Sequence, residues 1–293
     1  MQSTTNKSIA RIVKCAISLG VFAGSNLTAL FSRITRKPLR RSCVILYYHS
    51  VPAEQRARFA RQLDVLLRYS RLIDATSAVE LQNGIHYAGI TFDDAFENFI
   101  SCALPELSKR RIPSTIFVIS KALGKAFGPV GSAEKVMSME QLRALPADLV
   151  TIGSHSETHP YMPDLDESSA RRELALSKAS LEHILNREIT TFSFPFGGFT
   201  TPLVEMCHQL GYRRVFTTLP FLAFAVSNEE FAVGRVRVDP TDWPVEFRLK
   251  LAGAYRWLPR AIEWKRKLRS HNIDARKRSK PALPRSVIQE TAG

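Results

Sequence analysis

From residue 43 onward, short apolar runs alternate with longer stretches in which apolar residues recur at helical spacing. Seven runs read as strands: "CVILYY", "AGITF", "STIFVIS", "LVTIG", "TTFSF", "RRVFTT" and "VGRVRV". Between them, helical spacing is found at 55–69 (Phe59, Leu63, Leu66, Leu67), 94–109 (Phe96, Phe99, Ile100, Ala103, Leu104, Leu107), 167–186 and 202–210. Pro202 suits a first helical position and Gly211 a C-terminal cap. Strands that are apolar throughout and separated by helices predict a parallel sheet covered by helices, and about seven such units favour a barrel over an open sheet. In a barrel of this kind, reactive groups gather where strands reach the C-terminal edge.

Two strand ends carry candidate chemistry. "GITFDDAFENF" places Asp93 and Asp94 side by side at the end of a buried run. Adjacent anions repel, so each needs a cation or several donors. One reading makes them the first turn of the following helix, where carboxylates accept backbone N–H groups. The second end, "LVTIGSHSETHPYM", holds His155 and His159. Pro160 disfavours helix at His159, and Gly153 reads as a turn after the strand, which puts both histidines on a loop at the same edge. They read either as surface histidines or, with a carboxylate, as ligands of a divalent metal.

Composition and charge narrow the function classes. The chain has 293 residues, 45% of them hydrophobic, which is ample for a sizeable core. The net charge of +14 is unevenly placed. Residues 1–41 hold eight Lys/Arg and no acid, and residues 248–285 hold thirteen Lys/Arg against Glu263 and Asp274. The stretch from 42 to 247 carries twenty basic and twenty-four acidic residues, so the middle would repel phosphates and no nucleic acid is expected as a partner. The basic ends suit peripheral contact with an anionic membrane instead.

The N-terminal stretch "IVKCAISLGVFAGSNLTALF" is apolar but interrupted by Lys14, Ser18, Ser25, Asn26 and Thr28, so it is read as a membrane-surface or packing helix rather than a span. Residues 11–25 also match a signal peptide loosely. Cys15, Cys43, Cys102 and Cys207 lie far apart without a C-x-x-C pair and read as core thiols in a reducing compartment. The expected location is the cytoplasm, peripheral at the inner face of the membrane, with export as the alternative. Three regions are expected: a basic, partly apolar segment at 1–41, a catalytic domain at 42–258 and a basic, disordered tail at 259–293.

With "TFDD" (Thr91 to Asp94) and "HSETH" (His155 to His159) in that order, the sequence resembles the polysaccharide deacetylase family, the NodB-like carbohydrate esterases, over about residues 40–255. The resemblance implies a distorted, incomplete (β/α) barrel. It implies that Asp94, His155 and His159 hold a divalent metal, zinc by family default, and that Asp93 is the general base. For both acids to serve one site, the backbone must turn at Asp93, because adjacent side chains on a strand point to opposite faces. A third family motif stands here as "SFPFGG": a backbone N–H near Phe196 would help bind the oxyanion, while Gly197 and Gly198 allow close approach or form a turn.

The chain also departs from the family pattern. Ser193 stands where the family's arginine holds the base, and Arg235 in "VGRVRVD" is the candidate substitute. The late histidine that protonates the leaving amine in many members has no counterpart before His271, and His49 in "LYYHSV" is the best-placed alternative. "DPTDW", with Asp239, Asp242 and Trp243, reads as a family element or as a strand end before a helix started by Pro244, and Trp243 as a stacking platform at most. The implied reaction is removal of acetyl groups from amino sugars of a polysaccharide or a lipid-linked glycan. The alternative is a catalytically impaired, membrane-associated glycan-binding protein that keeps the metal site. The chain has no H-E-x-x-H helix and no P-loop to support a metallopeptidase or a phosphate-ester hydrolase.

Overall fold

A computed structural model describes residues 2–34, 42–77, 80–219, 231–258 and 261. The chain divides into two units, Met1–Arg256 and Trp257–Gly293. The tail expected at 259–293 lies, apart from residue 261, outside the described residues.

In chain order the strands are β1 (Ser42–Tyr48), β2 (Arg71–Leu72), β3 (His86–Phe92), β4 (Ser114–Val118), β5 (Ala126–Phe127), β6 (Glu134–Lys135), β7 (Val150–Ser154), β8 (Thr191–Ser193), β9 (Arg214–Thr217), β10 (Ala232–Gly234) and β11 (Val236–Arg237). Eight pair in parallel in the order β10-β9-β8-β7-β4-β3-β1-β11, with β2 also beside β3 and β5–β6 a separate hairpin. The last two ring strands are one extended run broken only at Arg235. β10 pairs with β9 and β11 with β1, so this run meets both edges of the sheet and nearly closes it. The result is the incomplete (β/α) barrel expected from the sequence, and all seven predicted strands lie in it.

Period-two alternation sorts the strand side chains. Cys43, Ile45, Tyr87, Phe117, Phe216 and Val233 form a cluster inside the barrel. Val44, Leu46, Ala88, Ile90, Phe92, Ile116 and Val118 face outward onto the helices. The helices are α1 (Gln2–Ile34), α2 (Arg56–Tyr69), α3 (Leu104–Arg110), α4 (Met139–Arg143), α5 (Glu167–Leu185), α6 (Thr201–Gln209) and α7 (Pro244–Leu251). Phe59, Leu63 and Leu66 of α2 are buried, as their spacing predicts, whereas Leu67, expected on the same face, is exposed. Asp166 caps α5 by accepting from Ser169 N, and Gly211, with φ +84°, follows α6.

Two local expectations are corrected, and two helices add to the sequence reading. The helix expected from 94 starts later, because Asp94 and Ala95 have φ of 69° and 56°; a π turn at Phe99–Ala103 then leads into α3. Gly153 is not a turn but lies within β7. A Cβ there would stand 2.6 Å from both Phe117 Cε1 and Thr191 Oγ1, so the missing side chain makes room for the Phe117 ring. The short α4, opened by a Ser138–Gln141 capping box, has too few apolar positions to show periodicity. Finally, α1 is a single helix whose Ser8–Thr28 portion is long and apolar enough to cross a membrane, although its polar residues read as interruptions in the sequence.

Candidate metal centre

The site forms at the C-terminal edge of the strands. Thr91 in β3 points into the barrel, and alternation carries Asp93, two residues on, to the same side. Asp94 would then point away, but its positive φ turns the chain, one residue later than expected, and brings its carboxyl back to the rim. His155 follows β7 directly. His159 also has a positive φ of 65°, on a loop held by two devices: Ser156 Oγ accepts from His159 N at 2.9 Å, and Glu173 of α5 accepts from Glu157 N, Thr158 N and Thr158 Oγ1 at 2.9, 2.9 and 2.6 Å.

Asp94, His155 and His159 each offer a ligand atom, and these atoms lie within 4.8 Å of one another. Asp94 Oδ1 is 3.6 Å from His155 Nε2 and 3.5 Å from His159 Nε2. It is buried and accepts no hydrogen bond. His155 Nδ1 donates to Ser193 O at 2.7 Å, which leaves Nε2 as the lone-pair nitrogen facing Asp94. Burial depresses both imidazoles, His155 to about 3 and His159 to about 4, so both are neutral at pH 7. Burial, reinforced by the charge of Asp93, pushes Asp94 up to about 7. A carboxylate and two neutral imidazoles that face one another without a proton donor between them form a donor set that a divalent cation satisfies. The residues present therefore fit the metal.

Asp93 is held quite differently. Arg235, fully buried in the gap between β10 and β11, donates from Nη1 to Asp93 Oδ1 at 2.7 Å and from Nη2 to Oδ2 at 2.8 Å. Nη1 also donates to Thr91 Oγ1 at 3.0 Å and Nη2 to Ser193 Oγ at 2.7 Å. The guanidinium lies over the rings of Tyr47, Phe117 and Phe216, at 4.6, 5.3 and 5.8 Å. Burial alone would raise the Asp93 carboxyl, but Arg235 outweighs it and holds the group down at about 2. Ser193 thus leaves the volume that a larger side chain would fill, and Arg235 enters it from another strand.

His49, just past β1, is half-buried with its ring 5.6 Å from that of Tyr47 and lies within electrostatic reach of Asp93 and His159. Burial lowers its pKa. Phe196, with φ 57°, exposes most of its ring, which meets His159 edge-on at 4.6 Å. Gly197 has φ +71°, and any side chain there would collide with Thr218. Trp243 is not at this site; its ring packs under Arg11 of α1, 4.4 Å from the guanidinium carbon.

Sequence reasoning missed several supporting groups. Phe127, from the β5–β6 hairpin, packs on His159 at 5.2 Å. Ser50, Asn98 and Glu134 bond one another beside the site: Ser50 Oγ donates to Glu134 at 2.7 Å, and Asn98 Nδ2 donates to Ser50 Oγ at 2.7 Å and to Glu134. Glu173 gave no motif signal at all, because its role depends on how α5 lies against the histidine loop.

A parallel barrel with a His2Asp donor set at its C-terminal edge, beside a separately held carboxylate, defines a class of hydrolase-like metal sites. Comparison makes that class specific. A family model described as polysaccharide deacetylase matches residues 82–215. YxkH of Bacillus subtilis (strain 168), provisionally named a polysaccharide deacetylase, is 28% identical over 153 residues, 52% of this chain and 51% of its own. An uncharacterized 30.6 kDa protein of Geobacillus stearothermophilus is 24% identical over 143 residues, 48% of this chain and 49% of its own. The match spans about half the length of these curated relatives.

Among solved structures, IcaB from Ammonifex degensii superposes with a TM-score of 0.61 at 25% identity, covering 74% of this chain and 98% of that one. The deacetylase PplD of Streptococcus pyogenes, solved with acetate, shares the fold with a TM-score of 0.60 at 21% identity, over 73% and 99% of the two chains. The barrel thus resembles the polysaccharide deacetylases, in the stretch that their family model matches and in its fold.

Proposed function

We propose that this protein is a metal-dependent deacetylase that hydrolyses N-acetyl groups of amino sugars in a polysaccharide or a lipid-linked glycan. The observation that carries this reading is the Asp93–Arg235 pair beside the Asp94, His155 and His159 set. A site kept only to hold a cation has no need of a second, ionised carboxylate with its own buried arginine, so the pair favours an enzyme over a glycan-binding relic.

Asp94, His155 and His159 would hold the divalent ion, which supplies Lewis-acid polarisation of the acetyl carbonyl and lowers the pKa of water towards ~7. Asp93, ionised and fixed by the arginine fork, takes a proton from the attacking water. Arg235 keeps the carboxylate in one orientation and in its charged form. The backbone N–H at Phe196 donates to the developing oxyanion. His49 returns a proton to the nitrogen as the C–N bond breaks, leaving acetate and a free amine. Its depressed pKa makes it a ready donor once protonated. The exposed Phe196 ring gives the sugar an apolar face at the mouth.

The test is acetate release from a panel of N-acetylglucosamine oligomers and lipid-linked glycans by the metal-loaded protein, with Asp93→Asn and His155→Ala alongside. Release by the wild type that both variants lose supports the assignment. Metal retention without acetate release from any substrate would favour the glycan-binding alternative.

A further inference from the structure

Helix α1 turns an apolar face outward. Its side towards the barrel combines the half-buried Val21 and Phe22 with polar contacts: Arg11 Nε donates to Glu246 Oε2 at 2.5 Å and Nη2 to Thr241 O at 2.8 Å, Cys15 Sγ lies 3.4 Å from Tyr255 Oη, Ser18 is buried, and Arg256 Nη2 donates to Ser25 Oγ at 3.0 Å. The opposite arc, at 100° per residue, is Ile9, Ile12, Val13, Ala16, Ile17, Leu19, Gly20, Ala23, Gly24 and Leu27, all exposed. No charged residue falls on that arc, and a Cβ added at Gly20 or Gly24 would meet nothing. A surface helix in water shows the reverse pattern.

We infer that this outward face of α1 embeds in the surface of a lipid bilayer and seats the barrel on it. Three observations select lipid. The apolar arc runs the length of the Ser8–Thr28 portion, far more than the scattered apolar side chains of an ordinary surface. The first 41 residues hold eight Lys/Arg and no acid, which complements anionic headgroups. Contacts at residues 11, 15 and 25 tie the helix lengthwise to α7 and the segment after it, a posture that suits lying in the interface.

The seating also orients the site. α7 runs away from the mouth of the barrel, and Arg11 meets the 241–246 segment at the rim, whereas Ser25 meets Arg256 farther down. A bilayer under α1 therefore holds the mouth at the membrane surface, opening sideways along it. This inference does not depend on the deacetylase reading.

The experiment is co-sedimentation of the full chain with vesicles of phosphatidylcholine, alone and mixed with phosphatidylglycerol, at low and high salt. An Ile9→Glu/Val13→Glu double variant runs beside the wild type. Both residues are exposed, so the variant should melt like the wild type, and a matching thermal curve verifies its folding. The wild type is expected to bind both vesicles, to keep its phosphatidylcholine binding at high salt, and to bind at least tenfold more strongly than the variant. Equal binding by a folded variant overturns the inference. So does a wild type that ignores vesicles, including one whose α1 face instead joins two copies into a dimer that the variant dissociates.

Discussion

Arg235 holds Asp93 by both carboxylate oxygens from the gap that separates the last two strands of the barrel. The same residue thus sits where the ring closes and where the proposed base is fixed. Arg235→Lys keeps the charge but loses the planar fork, and with it the orientation of Asp93. We expect acetate release to fall ~100-fold with the fold intact. Arg235→Ala leaves a buried carboxylate unpaired and should cost about 3–5 kcal/mol in urea unfolding. Because Ser193 Oγ is 2.7 Å from the guanidinium, adding Ser193→Arg to Arg235→Ala offers a second route for a guanidinium into the same space and should recover part of the rate. An Arg235→Ala variant with undiminished turnover would remove the pair from the mechanism.

The metal-free donor set makes a pH prediction. His155 and His159, at about 3 and 4, are already neutral throughout the working range. Asp94, raised by burial to about 7, is protonated below that value and must lose its proton to bind a cation. Apparent metal affinity should therefore fall about tenfold per pH unit as pH drops below about 7 and level off above it. Competition with a chromogenic chelator across this range measures the slope. Asp94→Asn should bind weakly and without the slope, whereas a flat wild-type profile would mean that Asp94 stays ionised throughout.

His49 is proposed to protonate the leaving nitrogen, and leaving-group chemistry isolates that role. An amide needs a proton on nitrogen to break, but an activated aryl acetate does not. His49→Gln should therefore lower turnover of an N-acetylated sugar ~100-fold while changing aryl acetate hydrolysis little. Equal losses on both substrates would reduce His49 to a wall of the pocket.

What could be read from the sequence follows from which features are local. The strands were visible because parallel strands covered on both faces, such as Ser114–Val118, are apolar throughout. The Asp-Asp and His-x-x-x-His ends were visible as residue types at strand ends. Arg235 was legible as the substitute for the base-holding arginine only through the resemblance and its place on a late strand, because its meeting with Asp93 needs the ring to close. The turn at Asp94 was expected one residue early, since a positive φ on an aspartate leaves no mark in composition. The polarity of α1 was hidden because the polar residues that break its apolar run in sequence lie towards one side once the helix is wound.

Glu173 gives the last prediction, as a positioning residue that touches neither substrate nor cation. Its carboxylate gathers two backbone N–H groups and one hydroxyl from Glu157 and Thr158, and the next residue, His159, sits at a φ that a side chain rarely adopts. Hydrogen bonds to a charged acceptor contribute about 1.5–3 kcal/mol each at most, enough to keep such a loop in one conformation. Glu173→Ala should leave the helical circular dichroism of the barrel unchanged but weaken metal binding by about tenfold in the same chelator competition. Glu173→Gln keeps one acceptor oxygen and should fall between the two. Should the alanine variant bind metal as tightly as the wild type, Ser156 alone, through its bond from His159 N, would suffice to hold the second histidine in place.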